Sequence, residues 1–322
     1  MKKSAFTSMK KKVFHGEGIG REEAFNLIGH DDFMELFFLA DQARKNVFGN
    51  KVSLCGIINA KSGRCSEDCR FCAQSGYYHT GVKEYALLSP RDIIDRGKNV
   101  FKQGAQGFSI VTSGKKAPEG EDLEKICHAI AELKGYGYLC SSLGLLREDQ
   151  AKILKKAGLK RYHHNLETSR EFFPRICSTH SFQERVETIK NAQKAGLEVC
   201  SGGIFGLGES WEDRINLAFE LKKLKVHSIP LNFLNPIPGT PMENRALLSS
   251  LECLKIIAIY RLINPLANIT VCGGREVNLR DLQSWIFFAG ANGMMIGNYL
   301  TTRGREISDD LTMVKDLGLT IG

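Results

Sequence analysis

The sequence predicts an α/β fold: a (β/α)8 TIM-type barrel with an N-terminal helical extension. Three observations carry this expectation. Eight short segments of strand character alternate with amphipathic helical segments, and such alternation implies a parallel sheet with helices outside it. Eight units within 322 residues suit a closed barrel, which reaches this length as one domain. No linker or low-complexity segment interrupts the alternation. The expected division is residues 1–50 as the helical extension and 51–322 as the barrel.

The chain begins Met1-Lys-Lys-Ser-Ala-Phe-Thr-Ser-Met-Lys-Lys-Lys, a basic start without the apolar stretch of a secretory leader. Residues 21–28 and 31–44 carry apolar residues at helical spacing, with Asp31 as the expected N-cap of the second. The first strand, residues 52–60, ends at a cysteine-rich loop. Further strands are expected at 107–113, 137–142, 161–168, 198–206, 227–234, 268–274 and 293–298, separated by helices such as 90–103, 123–133, 148–157 and 182–195. In a barrel, catalytic groups gather at the C-terminal ends of the strands, and alternate strand residues point inward.

Composition excludes several classes. No apolar run reaches transmembrane length. Ten cysteines without a leader read as metal-binding thiols in a reducing cytoplasm rather than as a disulfide framework. The net charge of +8 is spread along the chain. Lys10-Lys11-Lys12 and Lys222-Lys223-Leu-Lys225 read as solvated faces. No aromatic-interleaved basic stripe marks a nucleic-acid site, although a basic balance helps attract an anionic substrate.

The loop after the first strand is Gly63-Arg-Cys65-Ser-Glu-Asp-Cys69-Arg-Phe-Cys72. Three thiolates at C-x3-C-x2-C spacing can hold three irons of a cubic [4Fe–4S] cluster and leave the fourth open to a chelating small molecule. Structural zinc prefers four ligands, commonly two C-x2-C pairs, and no second pair exists. Arg64, Arg70, Glu67 and Asp68 are expected to make the loop polar and exposed.

One later strand is too polar for a buried parallel strand. Residues 162–168 read Tyr-His-His-Asn-Leu-Glu-Thr. Strand parity puts His163, Asn165 and Glu167 on one face, offering a carboxylate for a ribose diol and an amide for orientation. The string Gly202-Gly-Ile-Phe-Gly206-Leu-Gly208-Glu209 brings glycines to a strand end, where backbone can approach a ligand, although turn chemistry explains it equally well. Asn232 is a polar residue inside an apolar strand, followed by the rim Pro236-Ile-Pro-Gly-Thr-Pro241.

The cysteine loop, with aromatic Phe71 before its third cysteine, resembles the radical S-adenosylmethionine (SAM) superfamily. That loop, Tyr162-His-His-Asn-Leu-Glu-Thr-Ser169, Val199-Cys-Ser-Gly-Gly-Ile-Phe-Gly-Leu-Gly-Glu209, Asn232-Phe-Leu-Asn-Pro-Ile-Pro-Gly-Thr-Pro241 and Ala289-Gly-Ala-Asn-Gly293 together resemble the biotin synthase family, from about residue 35 onward. The resemblance implies a [4Fe–4S] cluster that cleaves SAM to a radical, and sulfur insertion into dethiobiotin from an auxiliary iron–sulfur cluster. It implies that Asn165 and Glu167 contact the adenosyl part of SAM and that Arg185 reaches its carboxylate; the strand-end glycines Gly206 and Gly208 are expected beside the same cofactor. Asn232 would hold the dethiobiotin ring, with His163 where the family often has Asn. The expected partners are a low-potential donor such as flavodoxin or ferredoxin, and a second copy in a homodimer. Other radical SAM barrels, of the hydrogenase-maturation or methylornithine synthase type, have little need for a sulfur-donating inner cluster. An electron carrier or cluster scaffold has no need for a SAM pocket.

The resemblance further implies a two-iron auxiliary cluster held by three cysteines and an arginine. This chain keeps Cys140 and Cys200 but has Ser109 and Thr270 at the other two positions. Cys272 lies two residues beyond Thr270, and Cys55 lies on the first strand where the family commonly has Ser. Four inward-parity thiols on strands 1, 3, 5 and 7 suit a four-iron cluster. Cys127, Cys177 and Cys253 are expected to act as small hydrophobes.

Overall fold

A computed structural model describes residues 3–322; residues 1 and 2, part of the expected extension, lie outside the described residues. Three helices come first: α1 (Lys3–Phe14), α2 (Arg21–Ile28) and α3 (Phe33–Phe48). The N-cap of α3 is Asp32, one residue later than expected, because its carboxylate accepts the Glu35 N–H at 3.0 Å.

Then follow β1 (Lys51–Lys61), α4 (Pro90–Lys102), β2 (Gly107–Thr112), α5 (Gly120–Leu133), β3 (Tyr138–Ser142), α6 (Glu148–Ala157) and β4 (Arg161–His163). The second half comprises α7 (Phe182–Lys194), β5 (Glu198–Cys200), β6 (Gly203–Phe205), α8 (Trp211–Lys223), β7 (Ser228–Phe233), α9 (Ser250–Ile263), β8 (Asn268–Val271), α10 (Arg275–Leu279), α11 (Trp285–Phe288), β9 (Gly293–Met295), α12 (Ile307–Asp316) and β10 (Thr320–Ile321). The strand pairs are parallel, and β9 returns to β1 through Ser53↔Gly293, Leu54↔Met294 and Cys55↔Met295. The sheet therefore closes into the eight-stave barrel that the alternation predicts. Serines start several helices where the chain turns back: Ser89, Ser181, Ser210 and Ser249 each accept a first-turn N–H. The first turn of α5 holds Glu121 and Asp122; these suit a helix N-terminus but lie outside the apolar period, so the helix starts before residue 123.

Two staves depart from the expected strands. The fifth is two pieces, β5 and β6, both paired with β7 and broken at Ser201-Gly202. The break is a close approach of backbones: a Cβ on Gly202 would sit 1.9 Å from the Pro230 carbonyl oxygen, and one on Gly203 2.4 Å from that of Glu167. The fourth stave stops at His163 instead of running to 168. Beyond it, the N–H groups of Leu166 and Glu167 both donate to the Gly202 carbonyl, at 3.0 and 3.1 Å. Glu167 takes a left-handed φ of 69°. Two-residue alternation cannot continue through such a bend.

Helix α9 is buried nearly all round, between the barrel and α3. Its Arg261 is fully buried and, among the described residues, pairs with no carboxylate. Its guanidinium donates to the carbonyls of Gly290, Pro265 and Ala267 and to Asn292 Oδ1, at 2.7–2.9 Å. Burial, then the nearby Arg44 cation, pushes its pKa down to about 9. Downstream, Arg275 and Asp310, both fully buried, pair and tie α10 to α12. Residues after 298, unassigned from sequence, form α12 and β10; the latter extends the sheet at Lys51↔Thr320 and Val52↔Ile321. No helix among the described residues is long and apolar enough to cross a membrane.

Candidate active site

The lumen and the strand C-termini enclose one cavity of about 670 Å³. The cysteine loop leaves β1 at this end and folds on itself. Cys65 N–H donates to the Gln74 carbonyl at 3.0 Å, Gly76 N–H to the Cys65 carbonyl at 2.7 Å and Cys72 N–H to the Cys69 carbonyl at 3.0 Å. All three thiols line the cavity. Burial pushes the Cys72 thiol up to about 11 and that of Cys65 upward. Cys69 also rises, first through its hydrogen bond to Cys177 and then through burial.

The acidic pair of this loop is not the exposed surface expected. Asp68 accepts the N–H groups of Ser178 and Thr179 at 2.9 and 3.2 Å. Buried Glu67 accepts Thr179 Oγ1 at 2.8 Å and His180 Nδ1 at 2.5 Å. The pair therefore clamps residues 178–180 onto the loop. His180 Nε2 accepts the Arg185 Nε–H at 3.0 Å, which places the ring proton on Nδ1. Arg185 Nη1 donates in turn to the Asn165 carbonyl at 2.8 Å and lies 3.4 Å from Glu167 Oε1. A continuous polar chain thus joins the cysteine loop to the Asn165–Glu167 segment.

Cys177 belongs to this chain and is not an inert hydrophobe. Its sulfur lies 3.7 Å from that of Cys69, 3.2 Å from His180 Nδ1 and 3.2 Å from Asp68 Oδ1. The Cys69 hydrogen bond, outweighing burial and helped by His180, pulls its thiol down to about 4. Sequence reasoning missed Cys177 and His180; the available signal was their Cys-x2-His spacing. Cys127 lies on α5, and Cys253 is fully buried on α9.

His163, Asn165, Glu167, Arg185 and Asn232 all line the cavity. Asn165 Nδ2 donates to Glu167 Oε2 at 3.2 Å, and Asn165 Oδ1 accepts the Gly202 N–H at 3.1 Å. Burial raises the Glu167 pKa, against the Arg185 charge. Burial, then Arg161 and Arg185, lowers His163 to about 4 and keeps it neutral. Asn232 bridges two backbones, donating to the Gly203 carbonyl at 3.2 Å and accepting the Gly273 N–H at 3.0 Å. Gly206 and Gly208 do not join the lining. Their N–H groups donate to Glu209 at 3.0 Å, in a turn that Arg214 locks at 2.7 Å.

Deeper in the same cavity lie Cys55, Cys140, Cys200 and Cys272, with Ser109, Thr270 and Arg161 beside them. Burial pushes Cys55 up to about 12 and raises the other three thiols. A negative charge on Cys200 acts on each of the others. Two thiolates on one zinc, each at ~2.3 Å, lie no farther apart than ~4.6 Å. Among the described residues, the trio of ligand atoms gathered within 4.8 Å is Cys69, Cys177 and His180. Neither the loop thiols nor the inner thiols are drawn together for a single ion, and all-thiol donor sets lining a cavity fit iron–sulfur clusters.

A parallel barrel with three thiols on its first loop and a polar pocket beside them defines a radical SAM enzyme. Residues 60–221 match the radical SAM superfamily, and residues 230–320 match the Biotin and Thiamin Synthesis associated domain. The chain is 52% identical to biotin synthase of Pelotomaculum thermopropionicum over 98% of this chain and 99% of that protein. It is 51% identical to biotin synthase of Trichlorobacter lovleyi, over 96% and 94%. The chain belongs to the biotin synthase family. Among solved structures it resembles methylornithine synthase, with a TM-score of 0.85 at 21% identity over 98% of this chain and 97% of that one. It also resembles an [FeFe]-hydrogenase maturase, with a TM-score of 0.83 at 17% identity over 99% and 75%. At those identities the likeness speaks for the barrel, and the sequence relatives favour biotin formation over either rival chemistry.

Proposed function

We propose that the two thiol sets, at the two depths of one cavity, divide the work of converting dethiobiotin to biotin. That shared cavity is the observation that carries the reading. Cys65, Cys69 and Cys72 would hold the outer [4Fe–4S] cluster, and Cys55, Cys140, Cys200 and Cys272 an inner cluster of four irons. When bound, these groups supply an electron to cleave SAM into a hydrogen-abstracting radical, and the sulfur that enters the substrate.

The chain's own residues orient and exclude. Glu167 accepts from the ribose hydroxyls of SAM, and Asn165 fixes the adenosyl part. Arg185, held from behind by His180, turns its guanidinium to the carboxylate. His163 and Asn232, between the two thiol sets, face the dethiobiotin ring. His163 serves there as a neutral hydrogen-bonding group, because burial keeps it unprotonated. Asn232 can bind substrate only by sharing its amide with the two backbones it bridges. Gly206 and Gly208 act indirectly in this reading, by shaping the turn behind the β6 end. The closed lumen limits access of water to the reacting carbons.

Residues 1–50 are read as an extension of the barrel rather than a separate unit. This is supported by Ile19 N–H donating to the Leu262 carbonyl at 2.9 Å and by Lys255 reaching the carbonyls of Ile28 and His30. Exposed Met34 and Phe38 on α3 and Phe288 on α11 support a homodimer through that face. A flavodoxin- or ferredoxin-type donor and a cytoplasmic setting complete the reading. The test is biotin formation from dethiobiotin and SAM by the anaerobically loaded enzyme. SAM cleavage without biotin would count against the inner cluster as sulfur source.

A further inference from the structure

Arg161 opens β4 with the same strand parity as His163 and lines the deep end of the cavity. Its register neighbours are Cys140 on one side and Glu198 on the other. One edge of the guanidinium is fixed: Nη2 donates to Glu198 Oε2 at 2.8 Å. The plane stacks on Tyr138, 4.5 Å from the ring centroid. One donor is not satisfied: Nε is buried with no hydrogen-bond partner among the described residues. An orphaned N–H on a buried cation is costly, and its presence at a ligand cavity points to a missing acceptor.

The surroundings identify that acceptor by charge. Cys140 is the register neighbour of Arg161 on β3, Cys200 pairs with His163 two residues along β4, and Cys55 and Cys272 line the same cavity. The hydroxyls beside them, Ser109 and Thr270, carry no charge. Four thiolates in a closed lumen need a countercharge, and the guanidinium that faces them comes from β4.

We propose that Arg161 is a cofactor-binding residue of the inner cluster, donating its Nε–H to a cluster sulfur and supplying the countercharge that raises the cluster's reduction potential. This rests on the inner-cluster reading above. A donor to sulfur stabilises the more negative, reduced core, so its removal lowers the potential. Glu198 and Tyr138 are positioning residues: they hold the guanidinium while Nε keeps its proton free.

The experiment uses the full chain with Cys65, Cys69 and Cys72 replaced by Ala, so that iron reports only the inner site. Arg161→Met and Arg161→Lys are introduced into this background and into the otherwise native enzyme. Iron content and midpoint potential are read in the first, and SAM cleavage to 5′-deoxyadenosine in the second. The expected result is retained iron and retained SAM cleavage. At the parent's midpoint potential, the reduced-to-oxidised ratio should fall at least tenfold in Arg161→Met, a shift of about 59 mV for a one-electron couple, and by less in Arg161→Lys. Inner iron lost from both variants with SAM cleavage intact would also support the contact. An unchanged midpoint at unchanged iron would overturn the proposal. So would loss of SAM cleavage together with iron, which would mark Arg161 as a strut of the barrel floor. Absence of iron from the parent itself would instead overturn the inner-cluster reading, and the proposal with it.

Discussion

Replacing Glu167 tests the division of the cavity between SAM and dethiobiotin. The Glu167 carboxylate is held by Asn165 Nδ2 at 3.2 Å and faces Arg185 Nη1 at 3.4 Å. Its side chain is 12% exposed, so the charge acts in a poorly screened setting. Hydrogen bonds to a charged group contribute about 1.5–3 kcal/mol, and neutral ones about 0.5–1.5. Glu167→Ala should therefore weaken SAM roughly 10- to 150-fold. Glu167→Gln keeps the shape and a neutral acceptor, so it should cost about 1–1.5 kcal/mol, roughly 5- to 13-fold. The pH dependence follows from the same group. Burial raises the Glu167 pKa above its ordinary value, and only the carboxylate binds the ribose well. SAM affinity of the unaltered enzyme should fall as pH drops through that raised pKa, while Glu167→Gln should be flat over the same range. Equilibrium binding of SAM and of dethiobiotin to anaerobically loaded enzyme measures both effects. Unchanged SAM affinity in both variants, with dethiobiotin binding lost instead, would refute the assignment.

Other perturbations read separate parts of the account. Ala at any one of Cys65, Cys69 or Cys72 should abolish 5′-deoxyadenosine formation with reductant, and normal formation by any of the three would remove it from the ligand set. Gly203→Ala would put a Cβ 2.4 Å from the Glu167 carbonyl oxygen and should weaken SAM binding about as much as Glu167→Ala; Gly29→Ala, with nothing within 4 Å, should change nothing, and equal effects would contradict the argument. Asp310→Asn removes the buried charge from Arg275, which keeps Gln283 and the Glu276 carboxylate at 3.5 Å, and should cost about 1.5–3 kcal/mol in chemical denaturation, whereas a loss under about 1 kcal/mol would show the pair contributes little. Cys177→Ala should leave the outer iron content intact, because three loop thiolates suffice; iron lost with it would make Cys177 a ligand.

The barrel was legible because its signal is local and repeated. Most β units announce themselves by an apolar run, and the cysteine loop falls where the first stave must end. The irregular staves were not legible. Parity brought His163, Asn165 and Glu167 to one cavity, but Asn165 and Glu167 arrive there by leaving the strand, through a bend fixed by the Gly202 carbonyl on a neighbouring stave. Nothing near Glu167 in sequence encodes that hydrogen bond. Cys177 was misjudged for a related reason. Its meaning comes from Cys69, 108 residues away, while its own neighbourhood looks like an ordinary loop. Arg161 went unnoticed although its parity matches His163, because a cation at a strand start reads as a solvated end until the thiols around it are placed. Gly206 and Gly208 show how a suggestive string reads two ways: their N–H groups are held in a turn by Glu209.

The measurement that bears most directly on the central claim is Mössbauer spectroscopy of the inner site, on protein lacking the Cys65, Cys69 and Cys72 thiols and loaded with ⁵⁷Fe. Ser109 and Thr270 offer only hydroxyls, which are poor ligands for a soft iron–sulfur core, while Cys55 and Cys272 line the same cavity as Cys140 and Cys200. The account predicts the signature of a four-iron cluster that is lost or altered when Cys55 and Cys272 are replaced together. A clean [2Fe–2S] spectrum, or one indifferent to that double replacement, would contradict it.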